Sequence, residues 1–303
     1  MDFRLTILGT GSAVPAPGRF SAGQVLETHN KSFLIDCADG TQHQFTKYGV
    51  HSSRLSHIFI SHLHGDHCFG IIPLISTMSM ANHTNDIYIH SHPDLEKVLK
   101  PMIDYFCFDL EFKIFFEPFN PLENSVIYED RGLTVSTIPL VHTMPTAGFL
   151  FKEKEGEPHL NKETLDFYNV PLSLYPDIKR GADFTTADGD LIPNSRLVTP
   201  PTKPKSFAYC SDTRYTERII PIIEGADCLY HEATYCSDDL VKAKARLHST
   251  AAEAATIASK ASVKQLVIGH YSKRYDDLTP LLTEAKSIFP DTILSYDGMR
   301  VEF

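Results

Sequence analysis

The sequence predicts a layered α/β fold, and three observations support this prediction. First, short apolar runs of strand length recur along the chain, as at residues 55–60, 133–142 and 265–270. Second, helix-start signals lie between many of these runs. Third, several runs end in a histidine or an aspartate, and functional side chains in layered α/β folds gather at one edge of the sheets. The apolar runs are spread evenly over 303 residues, which favours one large unit.

The first half of the chain alternates between strands and helices. An N-terminal strand at residues 1–8 leads into the turn Gly9-Thr10-Gly11, which is not a dinucleotide-binding motif because prolines at 15 and 17 prevent the helix that should follow. The other predicted elements are a hairpin of strands 24–27 and 32–36, a helix at 40–48, a strand at 55–60, a helix at 69–80, a strand at 87–90 and a helix after Pro93.

The second half contains a further series of strands, each ending near a histidine or an aspartate. They are predicted at residues 133–142, 206–212, 227–231 and 265–270. A capping box from Thr250 to Glu253 predicts an alanine-rich helix to about Lys260, and Thr279-Pro280 begins another helix. His248 therefore lies just before a helix N-terminus.

The densest polar cluster is the segment Ser-His-Leu-His-Gly-Asp-His at residues 61–67, directly after the strand at 55–60. Histidines two apart on extended backbone point the same way, so His62 and His64 can bind one ion. Gly65 permits a sharp bend, which lets Asp66 and His67 face a second ion. Imidazole and carboxylate ligands together suit zinc or a similar divalent ion. His90 and His92 share the spacing but have no acidic residue directly beside them in the sequence, and we interpret them as structural or surface residues.

The composition of the chain limits the cellular compartments and the types of binding partner that are expected. The formal net charge of −10 is opposite to that of a protein that coats nucleic acid, so contact with nucleic acid would need a local basic patch. The six cysteines form no C-x-x-C pair and lie mostly in apolar runs, which fits a reduced cytosol. We expect no signal peptide, no membrane span and a cytoplasmic location.

The motif His-x-His-x-Asp-His after a strand resembles the metallo-β-lactamase superfamily, and the flanking segments resemble its ribonuclease Z branch, which processes tRNA 3′ ends. The resemblance covers nearly the whole chain and includes residues 8–11, 36–44, 211–214, 231–234 and 248–250. It implies a four-layer αβ/βα sandwich with the site at one edge between two sheets. One domain would span residues 1–303.

The resemblance also implies two Zn²⁺ ions per chain, with Mn²⁺ or another divalent ion as the alternative. Seven ligands are assigned: His62, His64 and His142 to one ion, Asp66, His67 and His270 to the other, and Asp212 to both. Asp36 has two interpretations. The resemblance places it behind the metal loop, where it would orient an imidazole, whereas its position in the chain also suits a cap for the helix at 40–48.

Asp66 and three further residues, His248, Glu232 and Arg274, are assigned to the chemistry. The family treats Asp66 as the general base. His248, paired with Glu232, is the candidate for protonating the leaving 3′-oxygen. Arg274 is a candidate phosphate clamp, with a surface salt bridge as the alternative. We expect a structural or supporting role for His231.

Residues 152–204 differ in composition from the rest of the chain, being charged, rich in proline and poor in long apolar runs. In ribonuclease Z the equivalent insertion is a flexible arm that grips the tRNA elbow. Its basic tip corresponds here to Lys179 and Arg180, although the Gly-Pro that often precedes the tip is replaced. The resemblance implies precursor tRNA as the partner and a homodimer as the assembly.

The leading hypothesis is a zinc-dependent endoribonuclease that removes the 3′ trailer from precursor tRNA and leaves a 3′-hydroxyl, by hydroxide attack at a two-metal site. A general phosphodiesterase or arylsulfatase-like hydrolase of small esters is the alternative within the superfamily. A metal-stabilised RNA-binding or scaffold protein is disfavoured, because the ligand sets with His248 and Glu232 exceed what structural zinc requires. Hydrolysis of β-lactams is also disfavoured, because Asp212 stands where many lactamases have cysteine.

Overall fold

The computed structural model describes residues 3–303, which form two compact units. The large unit contains the chain up to Asp130, Thr134–Lys152 and Lys205–Phe303, and the small unit contains Arg131–Leu133 and Glu153–Pro204. The first two residues of the strand predicted at 1–8, Met1 and Asp2, lie outside the described residues.

The strands of the described chain are β1 (Arg4–Gly9), β2 (Gly23–Thr28), β3 (Lys31–Cys37), β4 (Leu55–Phe59), β5 (Ile87–Ser91), β6 (Ile114–Pro118), β7 (Val126–Glu129), β8 (Leu133–Pro139), β9 (Ala147–Glu153), β10 (His159–Leu160), β11 (Phe184–Thr185), β12 (Leu191–Ile192), β13 (Val198–Thr199), β14 (Ser206–Cys210), β15 (Cys228–Glu232), β16 (Gln265–Gly269), β17 (Thr292–Leu294) and β18 (Arg300–Glu302).

The α-helices are α1 (Thr41–Tyr48), α2 (Gly65–Cys68), α3 (Ile71–Met80), α4 (Asp94–Phe106), α5 (Lys162–Phe167), α6 (Tyr175–Lys179), α7 (Asn194–Leu197), α8 (Ile220–Ile223), α9 (Leu240–Arg246), α10 (Ala251–Lys260) and α11 (Thr279–Ile288). The predicted capping box is present at α10, where Thr250 and Glu253 satisfy each other's backbone N–H groups.

Two seven-stranded sheets form the frame of the large unit. The first has the strand order β18-β1-β2-β3-β4-β5-β6 and the second has the order β17-β16-β15-β14-β9-β8-β7. Strands β3 to β6 are parallel to one another, as are β14 to β17. The sequence prediction omitted the four edge strands, β6, β7, β17 and β18, because they are short or mostly exposed and lack the apolar pattern of the inner strands. It also omitted the inner strand β9.

Aromatic side chains pack between the two sheets. The ring of Phe33 lies 5.7 Å from that of Phe151, and Phe59 lies 5.5 Å from Phe149. All four rings are fully buried. Since successive residues of a strand point to opposite faces, the other face of each sheet must be covered as well.

Helices cover those outer faces. Apolar residues of α1, α3 and α4 pack with the first sheet, and those of α8, α10 and α11 pack with the second. The layers are therefore helix, sheet, sheet and helix, and the predicted four-layer αβ/βα fold is confirmed.

The small unit has its own core. Two short strand pairs, β10 with β13 and β11 with β12, accompany helices α5, α6 and α7. Their buried apolar residues are Leu165, Val170, Ile178, Ile192 and Leu197. The small unit contains most of the segment that we predict to be an RNA-gripping arm, and that role stays a prediction.

In the part of the chain that the structure describes, no helix has both the length and the apolar surface needed to cross a bilayer.

Candidate metal centre

The segment after β4 places the clustered histidines and aspartate at the edge of the first sheet. His64 keeps an extended backbone, with φ −69° and ψ 144°, and the helical turn α2 begins at Gly65. His62 and His64 therefore project from extended chain, whereas Asp66 and His67 belong to the helical turn. This is the bend that the sequence predicts.

One group of candidate ligands consists of His62, His64, His142 and Asp212. His62 Nε2 lies 2.9 Å from His64 Nδ1 and 3.3 Å from Asp212 Oδ2. His142 Nε2 is 3.7 Å from the same carboxylate oxygen. Four ligand atoms thus lie close enough together to bind a single cation.

A second group consists of Asp66, His67, Asp212 and His270. His67 Nε2 lies 3.5 Å from Asp66 Oδ2 and 3.3 Å from Asp212 Oδ2. His270 Nε2 is 2.9 Å from Asp212 Oδ1. Asp212 therefore belongs to both groups, as the resemblance implies. The structure brings together all seven residues that are predicted above as metal ligands.

The donor set fits a pair of divalent cations. Within the described chain, the buried atoms His67 Nε2 and His270 Nε2 make no hydrogen bond of acceptable geometry, although each lies close to an oxygen of the Asp212 carboxylate. Buried polar atoms in native proteins are nearly always satisfied, so two such nitrogens beside one carboxylate suit coordination of a cation. Imidazole and carboxylate donors are the ligands that zinc and similar ions prefer.

Asp36 lies behind this cluster and holds one ligand in place. Its fully buried carboxylate accepts hydrogen bonds from the backbone N–H of Ser61 at 2.8 Å, from the Ser61 hydroxyl at 2.9 Å and from the Tyr209 hydroxyl at 2.7 Å. The same carboxylate pairs with His67 Nδ1 at 2.7 Å. Burial lowers the pKa of His67, but Asp36 and Asp212 outweigh it and hold that pKa well above its ordinary value.

Of the two interpretations of Asp36, the structure therefore supports the orienting role. Helix α1 begins after Gly40, and no side chain caps its N-terminus. The hydrogen bond from Tyr209 is a contact that sequence reasoning missed, because no sequence pattern links the second sheet to residue 36.

A second buried carboxylate, Glu232, organises the opposite side of the centre. It accepts hydrogen bonds from the backbone N–H of Thr213 at 2.6 Å and from the Thr234 hydroxyl at 2.5 Å. Thr234 Oγ1 also lies 2.9 Å from His270 Nδ1, so Glu232 supports a candidate ligand through Thr234. Sequence reasoning missed the role of Thr234, although the resemblance includes residues 231–234.

Glu232 also pairs with His248, as predicted above. The distance from Glu232 Oε1 to His248 Nδ1 is 2.9 Å. Burial lowers the pKa of His248, but the adjacent carboxylate more than compensates and raises that pKa to about 9. His231 is buried and its Nδ1 contacts the Glu232 carbonyl oxygen at 2.8 Å, so it faces a structural partner.

Three residues of the centre have unusual backbone conformations. Asp36, Asp212 and His270 have φ values of 56°, 60° and 58°. Residues other than glycine rarely adopt positive φ, and such residues concentrate at functional sites where the surrounding structure enforces the conformation. Each of the three lies at or just after the end of a strand, where the chain turns its side chain into the cluster.

The centre opens into a cleft of about 730 Å³ whose lining includes His64, Asp66, His142, His248 and Arg274. Arg274 lies on the wall, and its Nη1 is 3.1 Å from both carboxylate oxygens of Asp239. The salt bridge considered for Arg274 is thus present. Arg274 also lines the cleft, which is where a phosphate clamp would have to lie.

The predicted tip residues Lys179 and Arg180 lie in the small unit, which contains none of the seven candidate ligands. Lys179 Nζ is 3.0 Å from Glu157 Oε2, and Arg180 pairs with Asp177. His90, interpreted above as structural, is buried and its Nε2 contacts His57 Nδ1 at 3.0 Å.

Two helix-flanked sheets with this cluster at one edge define a protein of the metallo-β-lactamase fold. The short form of human tRNase Z has a TM-score of 0.70 with this structure at 23% identity, and the match covers 98% of each chain. The metallo-β-lactamase fold protein YhfI from Bacillus subtilis has a TM-score of 0.69 at 18% identity over 100% of each chain.

Sequence comparison identifies the family. Ribonuclease Z of Parabacteroides distasonis is 50% identical over 300 residues, 99% of each chain. Ribonuclease Z of Phocaeicola vulgatus is 47% identical over 99% of this chain and 97% of that relative. The chain belongs to the ribonuclease Z family, and residues 3–158 also match the family model described as Anti-Pycsar protein Apyc1. The expected enzyme class, a metal-dependent hydrolase of the ribonuclease Z type, is confirmed.

Proposed function

We propose that this enzyme is a zinc-dependent endoribonuclease that removes the 3′ trailer from precursor tRNA and leaves a 3′-hydroxyl on the tRNA. The observation that carries the proposal is the pair of ligand groups sharing Asp212 at the base of an open cleft, in a chain 50% identical to a Ribonuclease Z. A cleft that opens to solvent at this edge suits a polymeric phosphodiester.

His62, His64 and His142 would hold one cation, Asp66, His67 and His270 the other, and Asp212 both. Bound divalent cations would supply a hydroxide nucleophile near neutral pH and stabilise negative charge on the phosphoryl oxygens. Zinc is the proposed ion because imidazole predominates among the donors. The Asp212 carboxylate offsets the repulsion between two dications.

We assign the acid and base roles to two residues that line the cleft. Asp66 has one carboxylate oxygen facing His67 and lines the cleft, where it can accept a proton from the attacking water. His248 also lines the cleft, and its paired carboxylate, Glu232, favours the protonated imidazole. A protonated His248 can donate to the leaving 3′-oxygen, while Glu232 orients the ring.

Precursor tRNA is the proposed partner, with the small unit as the surface that grips it. The net charge of −10 makes general attraction to RNA unfavourable, so recognition needs a local basic site. Lys179 and Arg180 supply such a site at the end of α6.

We further propose a cytoplasmic homodimer. All six cysteines are free and buried, which suits a reducing compartment. Val98, Met102 and Tyr105 are exposed at helical spacing on one face of α4, with exposed fractions of 59%, 39% and 76%. Light-scattering mass measurement of the purified chain tests the dimer, and the variant Met102→Lys/Tyr105→Lys should shift it to a monomer.

Metal analysis combined with cleavage mapping on a precursor tRNA tests the function. We expect two zinc ions per chain and one cut after the tRNA 3′ end with a 3′-hydroxyl on the upstream product. Deletion of residues 154–200 should abolish cleavage of tRNA but leave hydrolysis of a small activated phosphodiester. If the wild-type enzyme cleaves only small esters, or if the deletion variant cleaves tRNA as well as the wild type, the proposal is wrong.

A further inference from the structure

A second cleft, of about 500 Å³, adjoins the candidate metal centre and has a different chemical character. Its lining includes the rings of Phe20 and Phe69, the carboxylates of Asp39 and Asp66, and Arg19. Ala13, Gly65 and Asp66 line both clefts, so the two are continuous at the candidate general base. A chain bound across the metal centre therefore has the second cleft directly beside its reacting phosphate.

Phe69 is unusual because 72% of its surface is exposed at a position next to the metal loop. Its backbone N–H donates to the Gly65 carbonyl at 3.0 Å, and the next residue, Gly70, donates to the Cys37 carbonyl at 2.8 Å. A Cβ atom added to Gly65 would lie 2.3 Å from Cε2 of the Phe69 ring. The ring thus lies against backbone that only glycine leaves open, and most of the residue's surface faces solvent.

Phe20 is fixed in a similar way on the neighbouring loop. Its backbone N–H donates to Asp297 Oδ2 at 2.7 Å, and its carbonyl accepts a hydrogen bond from Gly11 N–H at 2.8 Å. A Cβ atom on Gly40 would lie 2.8 Å from the Phe20 ring, and 39% of the residue remains exposed. Both rings therefore lie against glycine backbone and keep part of their surface open to a ligand.

The charges of the second cleft favour a neutral planar group over a phosphate. Asp39 and Asp66 would repel an anion and outnumber the one cationic side chain of the lining, Arg19, whose Nη2 donates to the Tyr275 carbonyl at 2.8 Å. Aromatic side chains beside a nucleic-acid site commonly stack on bases, which are neutral and planar. The backbone phosphates of a bound RNA would stay in the metal cleft, where the cations are expected.

We propose that Phe20 and Phe69 form a nucleobase subsite, in which a base next to the scissile phosphate leaves the RNA stack and packs on the exposed ring of Phe69. This inference rests on the proposed function, because it places an RNA substrate in the metal cleft. It adds a specificity element outside the seven candidate ligands and their supporting residues.

The test compares Phe69→Leu, Phe20→Leu and the aromatic variant Phe69→Tyr on a precursor tRNA. Phe108→Leu is the matched control, because Phe108 is 75% exposed and lines neither cleft. We expect Phe69→Leu to lower kcat/KM by about 10- to 100-fold, mainly through KM, and Phe69→Tyr to restore most of the loss. Phe20→Leu should give a smaller loss in the same direction, and Phe108→Leu no loss.

Substrates with an abasic nucleotide on either side of the scissile phosphate supply the second measurement. One of the two should slow the wild-type enzyme by a factor similar to that of Phe69→Leu, and should slow Phe69→Leu no further. The wild-type comparison needs no variant and therefore does not depend on how the variants fold.

The inference is overturned if neither abasic substrate slows the wild-type enzyme, or if the abasic penalty is the same in the wild type, Phe69→Leu and Phe20→Leu. Failure of the proposed function gives a different result, because the wild-type enzyme then does not cleave the intact precursor tRNA.

Discussion

The hydroxyl of Tyr209 donates a 2.7 Å hydrogen bond to Oδ2 of Asp36, and this bond joins the two sheets behind the candidate metal centre. Tyr209 belongs to β14 of the second sheet and Asp36 to β3 of the first. The same Asp36 oxygen lies 2.7 Å from His67 Nδ1. The orientation of one candidate ligand therefore depends on a residue in the opposite sheet.

The variant Tyr209→Phe should weaken metal binding without unfolding the protein. Partners that orient a metal-bound imidazole typically contribute a factor of about 10 to 100 in affinity, and Asp36 would keep its bonds to Ser61 and His67. Competition with a chromophoric chelator measures the loss, and the absorption spectrum of the Co²⁺ form reports the changed ligand geometry. Tyr230→Phe is the control, since the Tyr230 ring stacks on Tyr209 but its hydroxyl packs against Gly269. Equal affinities for Tyr209→Phe and wild type would contradict the prediction.

Replacement of His248 should remove chemistry and spare the metal. His248→Ala is expected to lower kcat on precursor tRNA by about 10²- to 10⁴-fold, the usual contribution of a positioned acid, with unchanged metal content. Glu232→Gln should produce a smaller loss, because the amide still accepts hydrogen bonds but no longer favours the protonated imidazole. Loss of metal from His248→Ala would instead indicate that His248 is a ligand. The structure offers this alternative, because Glu232, His248 and His270 form a third group of potential ligands.

Reversal of charge at the predicted arm tip should affect tRNA but not small substrates. Lys179→Glu/Arg180→Glu is expected to raise KM for precursor tRNA. The slope of log KM against log salt concentration should also decrease by about 0.7 to 0.9 for each phosphate contact that is lost. Hydrolysis of a small activated phosphodiester should not change.

The control variant for the arm tip should change KM in the opposite direction. Glu157→Gln/Asp177→Asn removes the carboxylates that pair with Lys179 and Arg180 and should lower KM for precursor tRNA. A KM that responds to neither pair of substitutions would exclude these residues from RNA binding.

Acid should destabilise the fold through two imidazoles remote from the metal centre. Burial lowers the pKa of His57 to about 4, aided by Lys31, and burial with the neighbouring His57 lowers that of His90 to about 3. Both groups titrate near 6.5 in an unfolded chain, so below that pH the unfolded state binds more protons than the folded state. Their contribution is fully present above pH 6.5 and declines as the pH falls towards 4.

The double variant His57→Phe/His90→Phe should flatten this decline. In metal-free samples, we expect the free energy of unfolding of the wild type to fall on the order of 2–4 kcal/mol more than that of the variant between pH 6.5 and pH 4. Phenylalanine keeps the stacking with Phe59, whose ring lies 4.4 Å from that of His90. Urea unfolding at both pH values measures the difference, and parallel pH dependences would show that the two histidines do not titrate on unfolding.

The sequence by itself determined the elements and the chemistry of the candidate ligands. Apolar runs predicted every inner strand except β9, because a buried strand usually shows its burial directly in its composition. The bend within residues 61–67 was also predicted from the sequence, because Gly65 follows two histidines on extended chain. The pairing of His248 with Glu232 also followed from their place in the family pattern, and the structure has it at 2.9 Å.

Only the tertiary structure decided which partners lie behind the ligands. Asp36 could have capped a helix as well as oriented an imidazole, and Tyr209 carried no signal, because contacts between separate sheets have no local pattern in the chain. The cleft at Phe20 and Phe69 escaped prediction for the same reason, since its two rings are 49 positions apart. Residue types and spacings record what one segment can do, whereas the meeting of distant segments depends on how both sheets pack.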